Sequence, residues 1–342
     1  MNYHLLWLKM THELKHIIQI AFECFKKHEK CVLATVVALD GTSYRKPGVR
    51  MLISEAGAVV GAVSGGCVEK DIQQRAELVF QSDKPLVMSY DGRYRLGCQG
   101  TLYILIEPFE VSEDIYQAFD KHCEKRLSIE LKSYYQKEDD ATGCFGTTMQ
   151  LAEDLIQFNP NVVFNPQSLI FSQQLKPCFK LLIIGAEHDA VKLCAMAGNM
   201  GWEVEVVSGW RDPKTQSDFP GANTVYSLSP EMFEVANIDS HTAVVLMTHN
   251  YALDLKYLLR LKNVEMAYLG VLGSSNRNDQ LRSELLEYAD DLDELQFYGP
   301  AGLDLGSETP EEIALAIIAE ILAHTRNRNV PSLSTHLKSV RI

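Results

Sequence analysis

From Lys180 onward the sequence alternates between short apolar runs and helix-patterned segments, and this alternation constrains the fold more than any other feature. KLLIIGA, EVEVVSG, TVYS, TAVVLMTH, EMAYLGVLG and LQFYG read as strands, with helical periodicity in most of the intervals. Strands that are apolar throughout, rather than at alternate positions, need cover on both faces. A parallel sheet with helices on each side supplies it. Right-handed crossovers then make a doubly wound, Rossmann-like domain. Its last helix has a legible start: Thr309 as N-cap, Pro310 at the first helical position and Glu312 completing a capping box.

The 342 residues suffice for two domains with separate cores. The first half has a different pattern. A helix is predicted over 11–29, capped by Thr11, with Leu14, Ile17, Ile18, Ala21, Phe22 and Phe25 as its apolar stripe. Strands are predicted at 31–39, 50–53, 59–63, 85–90, 101–109 and 127–135. A helix follows Gly66, burying Val68, Ile72, Ala76 and Val79, and another is capped by Ser112. The stretch 137–178 is weakly patterned and contains Pro160, Pro166 and Pro177. The domain boundary is placed there. The expected fold is therefore α/β: an N-terminal α+β domain over 1–175 and a C-terminal doubly wound Rossmann-like parallel sheet over 176–342.

Charge narrows the partners. A net charge of -13 argues against general binding of nucleic acid or anionic membrane. The N-terminal apolar residues are interrupted by Lys9, His12, Glu13 and Lys15, which fits neither a signal core nor a membrane span, so the expected address is the cytosol. The eight cysteines include no CxxC pair and no zinc-type set with histidine. In a reducing compartment most are expected to be small buried apolar residues.

Chemistry concentrates in a few places. Gly65-Gly66-Cys67 opens a helix, where free N–H groups and the helix dipole favour a thiolate and the glycines admit a ligand close to the backbone. Glu69 opposes thiolate formation if it faces Cys67. Arg45 and Arg50 flank Pro47-Gly48, either as an anion site or as surface cations. Gly97-Cys98-Gln99-Gly100 is a second glycine-flanked cysteine, ahead of a strand and without a helix dipole. In the second half the first strand–helix turn is Gly185-Ala186-Glu187-His188. Glu187 stands where a dinucleotide fingerprint has its second glycine, and Ser208 falls near the place of the ribose-binding acid. Both disfavour ordinary NAD binding. Thr248-His249-Asn250 and Gly273-Ser274-Ser275-Asn276-Arg277 end later strands. The latter offers helix N–H groups and a cation to a phosphate, or is simply a serine N-cap with a surface arginine. His188 and His249 are the histidines of interest; each alone is more often a structural residue.

Taken together, these motifs resemble a known family. Gly41-Thr42-Ser43-Tyr44-Arg45-Lys46-Pro47-Gly48 with Met51, then Ser64-Gly65-Gly66-Cys67-Val68-Glu69, resemble the N-terminal signature of the XdhC/CoxI family, the xanthine dehydrogenase accessory factors. Gly97-Cys98-Gln99-Gly100 is similar to its second cysteine motif, with Gln99 where glycine is usual. Met247–Tyr251 with Asp254, and the string from Gly302 to Glu312, resemble its Rossmann domain. The resemblance implies a chaperone, not a catalyst, that binds and protects molybdenum cofactor and supports its sulfuration and insertion into a xanthine dehydrogenase-type molybdoenzyme. It also implies a homodimer that works with a cysteine desulfurase. Carried onto this chain, Cys67 becomes the candidate molybdenum contact, and Arg45 and Arg50 become candidates for the cofactor's anionic groups. A soft thiolate suits a thiophilic metal, and arginine forks suit phosphate. Two other readings stay open: an NAD(P)-dependent oxidoreductase using the Rossmann cleft, and a ligand-free scaffold that only contacts a partner.

Overall fold

The computed structural model describes residues 11–43, 46–63, 66–92, 100–160, 162–288 and 296–330, with only the backbone at Cys67. The chain divides into two compact units, Met1–Cys178 and Phe179–Ile342.

The first unit begins with α1 (Thr11–Lys26), which buries Leu14, Ile17, Ile18, Ala21 and Phe22 along the expected stripe. Then come β1 (Cys31–Gly41), β2 (Arg50–Ser54), β3 (Val59–Gly61), α2 (Cys67–Ser82), β4 (Leu86–Asp91) and β5 (Gly100–Pro108). They are followed by α3 (Glu113–Glu124), β6 (Ile129–Tyr135), β7 (Ala141–Thr142), β8 (Gly146–Leu151), β9 (Asp154–Gln157) and β10 (Leu169–Leu175). One sheet runs β3-β2-β1-β5-β4-β7 and a second runs β10-β6-β8-β9, with antiparallel neighbours throughout.

Strand alternation gives the six-stranded sheet two apolar faces. Val32, Ala34, Val36, Met51, Ile104 and Ile106 meet Val68, Ile72, Ala76 and Val79 of α2. Leu33 and Leu52 of the other face pack with α1, α3 and Ile129, Leu131 and Met149 of the second sheet. The weakly patterned stretch 137–178 holds β7 to β10, which the sequence did not reveal. β7, β9 and β10 lie at sheet edges and β10 is mostly exposed, while the interior, buried β8 (GTTMQL) has only two large apolar side chains, so few positions carry an apolar signal.

The second unit contains β11 (Lys180–Ile184), α4 (His188–Asn199), β12 (Glu203–Gly209), β13 (Thr224–Leu228), β14 (Thr242–Leu246), α5 (Tyr251–Leu261), β15 (Tyr268–Val271), α6 (Ser275–Glu287) and α7 (Pro310–Thr325). Its five strands are parallel in the order β13-β12-β11-β14-β15, the doubly wound arrangement expected. Helices α4 and α7 supply one core, α5 and α6 the other. Thr309 caps α7 in a capping box with Glu312, as the sequence indicates. The sixth expected strand begins at Leu295, outside the described residues; the part that is described forms a single bridge, Gly270 to Tyr298. Between β12 and β13 lies only a 3-10 turn at Gln216–Asp218, in place of a crossover α-helix.

Candidate functional site

In the first unit, the strand ends that flank the motif-bearing segments all lie toward one end of the six-stranded sheet. Gly41 pairs with Gly100, so segments 42–49 and 92–99 leave adjacent strand ends. Asp91 pairs with Thr101, which places the end of β4 at the same edge. Gly61 pairs with Met51, and a Cβ on Gly61 would sit 2.5 Å from the Arg50 carbonyl oxygen. The segment from β3 into α2 therefore departs beside the start of β2. Arg45, Gly65 and Cys98 lie outside the described residues, but the strand ends that flank them are neighbours.

Gly66 caps α2 with φ +117, a conformation that glycine adopts without strain. The Glu69 carboxylate turns back to accept the Gly66 N–H at 2.8 Å. Glu69 thus occupies one of the donors that would otherwise face an anion at the helix start. Arg50 is not part of the preceding loop. It opens β2, is 4% exposed, and donates from Nη1 to the Gly48 carbonyl at 2.9 Å. Burial lowers its pKa to about 10, against the charge of Glu107. Glu107 is fully buried and accepts from the Thr147 N–H at 2.8 Å and the Thr147 hydroxyl at 2.6 Å. Desolvation pushes its carboxyl up to about 7. Its sequence signal was an acid closing the apolar run TLYILIEPF.

In the second unit, the polar groups collect where the strands end. Gly185 follows β11 at φ +137, and a Cβ there would lie 2.2 Å from the Met247 carbonyl oxygen, so two strand ends touch through it. Glu187 and His188 are exposed at the start of α4. His249, at φ 54, lies 3.7 Å from Asp189. Gly273, Ser274 and Arg277 form the β15–α6 turn, with Ser274 as N-cap. The Arg277 side chain folds over Gly273, where a Cβ would meet its Cδ and Nη1 at 3.2 Å. Arg277 Nη2 donates to Asp254 at 2.6 Å, and the Thr248 hydroxyl donates to the other carboxylate oxygen at 2.6 Å.

Asp254 is completely buried, and this desolvation raises its pKa against the opposing pull of Thr248 and Arg277. Asp254 lies in the Rossmann-domain motif that follows Met247–Tyr251. Its position, one turn into α5 after a strand end, was the available clue. Ser208 is buried and bonded to Ser227, the Tyr226 carbonyl and the Lys214 N–H. It is part of the sheet's own bonding at the place where a ribose-binding acid would project. Among the described residues, no group of three or more His, Cys, Asp or Glu side chains is placed to hold a metal ion.

The comparisons fit this geometry. The XdhC and CoxI family matches residues 24–91, and the XdhC Rossmann domain matches residues 181–321. A Bacillus subtilis protein named as a probable xanthine dehydrogenase subunit is 31% identical over 88% of this chain and 94% of its own length. This chain belongs to the XdhC and CoxI family. The Escherichia coli molybdenum cofactor insertion chaperone PaoD is 22% identical over 91% of the chain and 89% of its own length. A crystal structure from Bacillus halodurans titled as a xanthine dehydrogenase superposes with a TM-score of 0.75 at 27% identity, covering 92% of this chain and 96% of that one. No helix among the described residues is long and apolar enough to cross a membrane.

Proposed function

We propose that this protein binds molybdenum cofactor, protects it, and delivers it to a xanthine dehydrogenase-type molybdoenzyme. The observation that carries the reading is that the strand ends flanking the signature-bearing segments all lie toward one end of the first sheet, in a member of the XdhC and CoxI family. The printed names of its relatives, one a molybdenum cofactor insertion chaperone and one a probable xanthine dehydrogenase component, support the cargo and the client. In this reading the Cys67 sulfur contacts molybdenum, since a soft thiolate suits that metal and one labile ligand permits release. Arg45 meets an anionic group of the cofactor, with Gly65 and Gly66 allowing close approach and Cys98 on the neighbouring segment.

The turn Gly273-Ser274 at the start of α6, with Arg277 held by Asp254, is a secondary anion site in the same proposal; Gly185, His188 and His249 line that cleft. A homodimer, a cysteine desulfurase partner and a cytoplasmic address complete the proposal. The exposed Glu187 and the internally bonded Ser208 count against an NAD(P)-dependent oxidoreductase.

The test is a paired titration of the purified protein under anaerobic conditions. Free molybdenum cofactor is expected to remain with the protein through gel filtration, while NADPH gives no saturable binding. Saturable NADPH binding with no retained molybdenum or pterin would reverse the assignment.

A further inference from the structure

The first unit buries an arginine that its protein neighbours only partly satisfy. Arg50 Nη1 donates to Gly48, whereas Nε and Nη2 have no acceptor among the described residues. Those two nitrogens share one edge of the planar guanidinium, so their hydrogens converge on a single place. Thr35 is the direct cross-strand partner of Arg50. It is fully buried, and its Oγ1 also lacks a partner among the described residues. Glu107, two pairs further along β1 opposite Leu33, supplies the balancing charge, with its own oxygens taken by Thr147.

Gly48 is held from three sides. Its N–H donates to the Val36 carbonyl at 2.7 Å, its carbonyl accepts from Arg50, and the Gln173 side-chain amide lies 2.6 Å from where a Cβ would be. With φ +98, the position suits glycine alone.

We infer that Arg50 is a positioning residue that fixes the end of the 42–48 segment from inside the sandwich, and that a buried water bridges its Nε–Nη2 edge to the Thr35 hydroxyl. A water there accepts two hydrogen bonds and donates one, within the range that holds internal waters in place. Arg50 then acts on ligand only through the segment that carries Arg45. That last step rests on the proposed function; the anchoring does not.

Amide exchange, read residue by residue on the full chain without ligand, tests the anchoring. Arg50→Lys keeps the charge but loses the fork. It should speed exchange of the Gly48 amide about tenfold, the factor for losing one hydrogen bond from a charged donor. The Ile104 amide, in the same sheet, should be unchanged. Equal acceleration at both amides would mean a general loss of stability, and no acceleration at Gly48 would mean no anchoring; either overturns the proposal. A wild-type crystal structure that resolves ordered water tests the bridge even if the variant fails to fold. Water on the Nε–Nη2 edge within hydrogen-bond distance of Thr35 is expected. A side chain or an anion on that edge refutes the bridge.

Discussion

Asp254 and Arg277 show how one residue pair can shape a strand-end cleft. The carboxylate is wholly inside the protein and joins the end of β14 to the start of α6 through Thr248 and Arg277. Removing one partner of a buried pair leaves the other uncompensated. Asp254→Ala is expected to cost the second unit about 3 kcal/mol, the low end for a buried pair because Arg277 keeps some access to solvent. Urea unfolding followed by a probe in that unit measures it.

Glu107 makes a prediction of different sign. Burial raises its folded-state pKa to about 7, above its ordinary value of 4.5. The folded state therefore holds the proton more tightly. The group's stabilising contribution is complete below about pH 4.5 and is lost as pH rises toward 7. Between those limits the wild type should lose stability relative to Glu107→Gln as pH increases. Parallel thermal unfolding of the two proteins from pH 5 to 8 reads this directly; a pH-independent difference would contradict it.

At the scale of elements, helix starts decide much of the geometry. Gly66 introduces α2 at φ +117. Gly66→Ala should cost about 1–2 kcal/mol, the penalty of a left-handed backbone on an L-residue, because nothing crowds a Cβ there. Thr309→Ala should cost about 1 kcal/mol as a lost N-cap. Chemical denaturation of each variant checks both values.

These same elements mark what sequence can reveal. The stripes of α1 and α2, the Ser112 and Thr309 caps and the parallel strands were legible because periodicity and capping are local signals. The strands β7 to β10 were not: β7, β9 and β10 are edge strands with mostly exposed or half-buried side chains, and the interior β8 (GTTMQL) has only Met149 and Leu151 as apolar side chains. Gly41 and Gly100 stand at strand ends, yet their pairing across β1 and β5 depends on strand register, which is non-local. Arg50 illustrates the same limit. Its place at the start of a strand was legible, but its burial opposite Thr35 was not.

At the scale of the whole molecule, each unit has its own buried cores and its own sheets. A chain beginning at Phe179 should therefore fold alone and melt cooperatively, as calorimetry of that fragment would show. A net charge of -13 repels anions, so the proposed binding of an anionic cofactor would depend on local donors rather than on a general field.

The most direct test of the central claim is to load wild type and Cys67→Ala with free molybdenum cofactor anaerobically, pass each through gel filtration, and assay molybdenum and pterin in the protein peak. The account predicts about one cofactor per chain in the wild type and its loss in the variant. Retention by neither protein would contradict the carrier function, and equal retention by both would contradict Cys67 as its anchor.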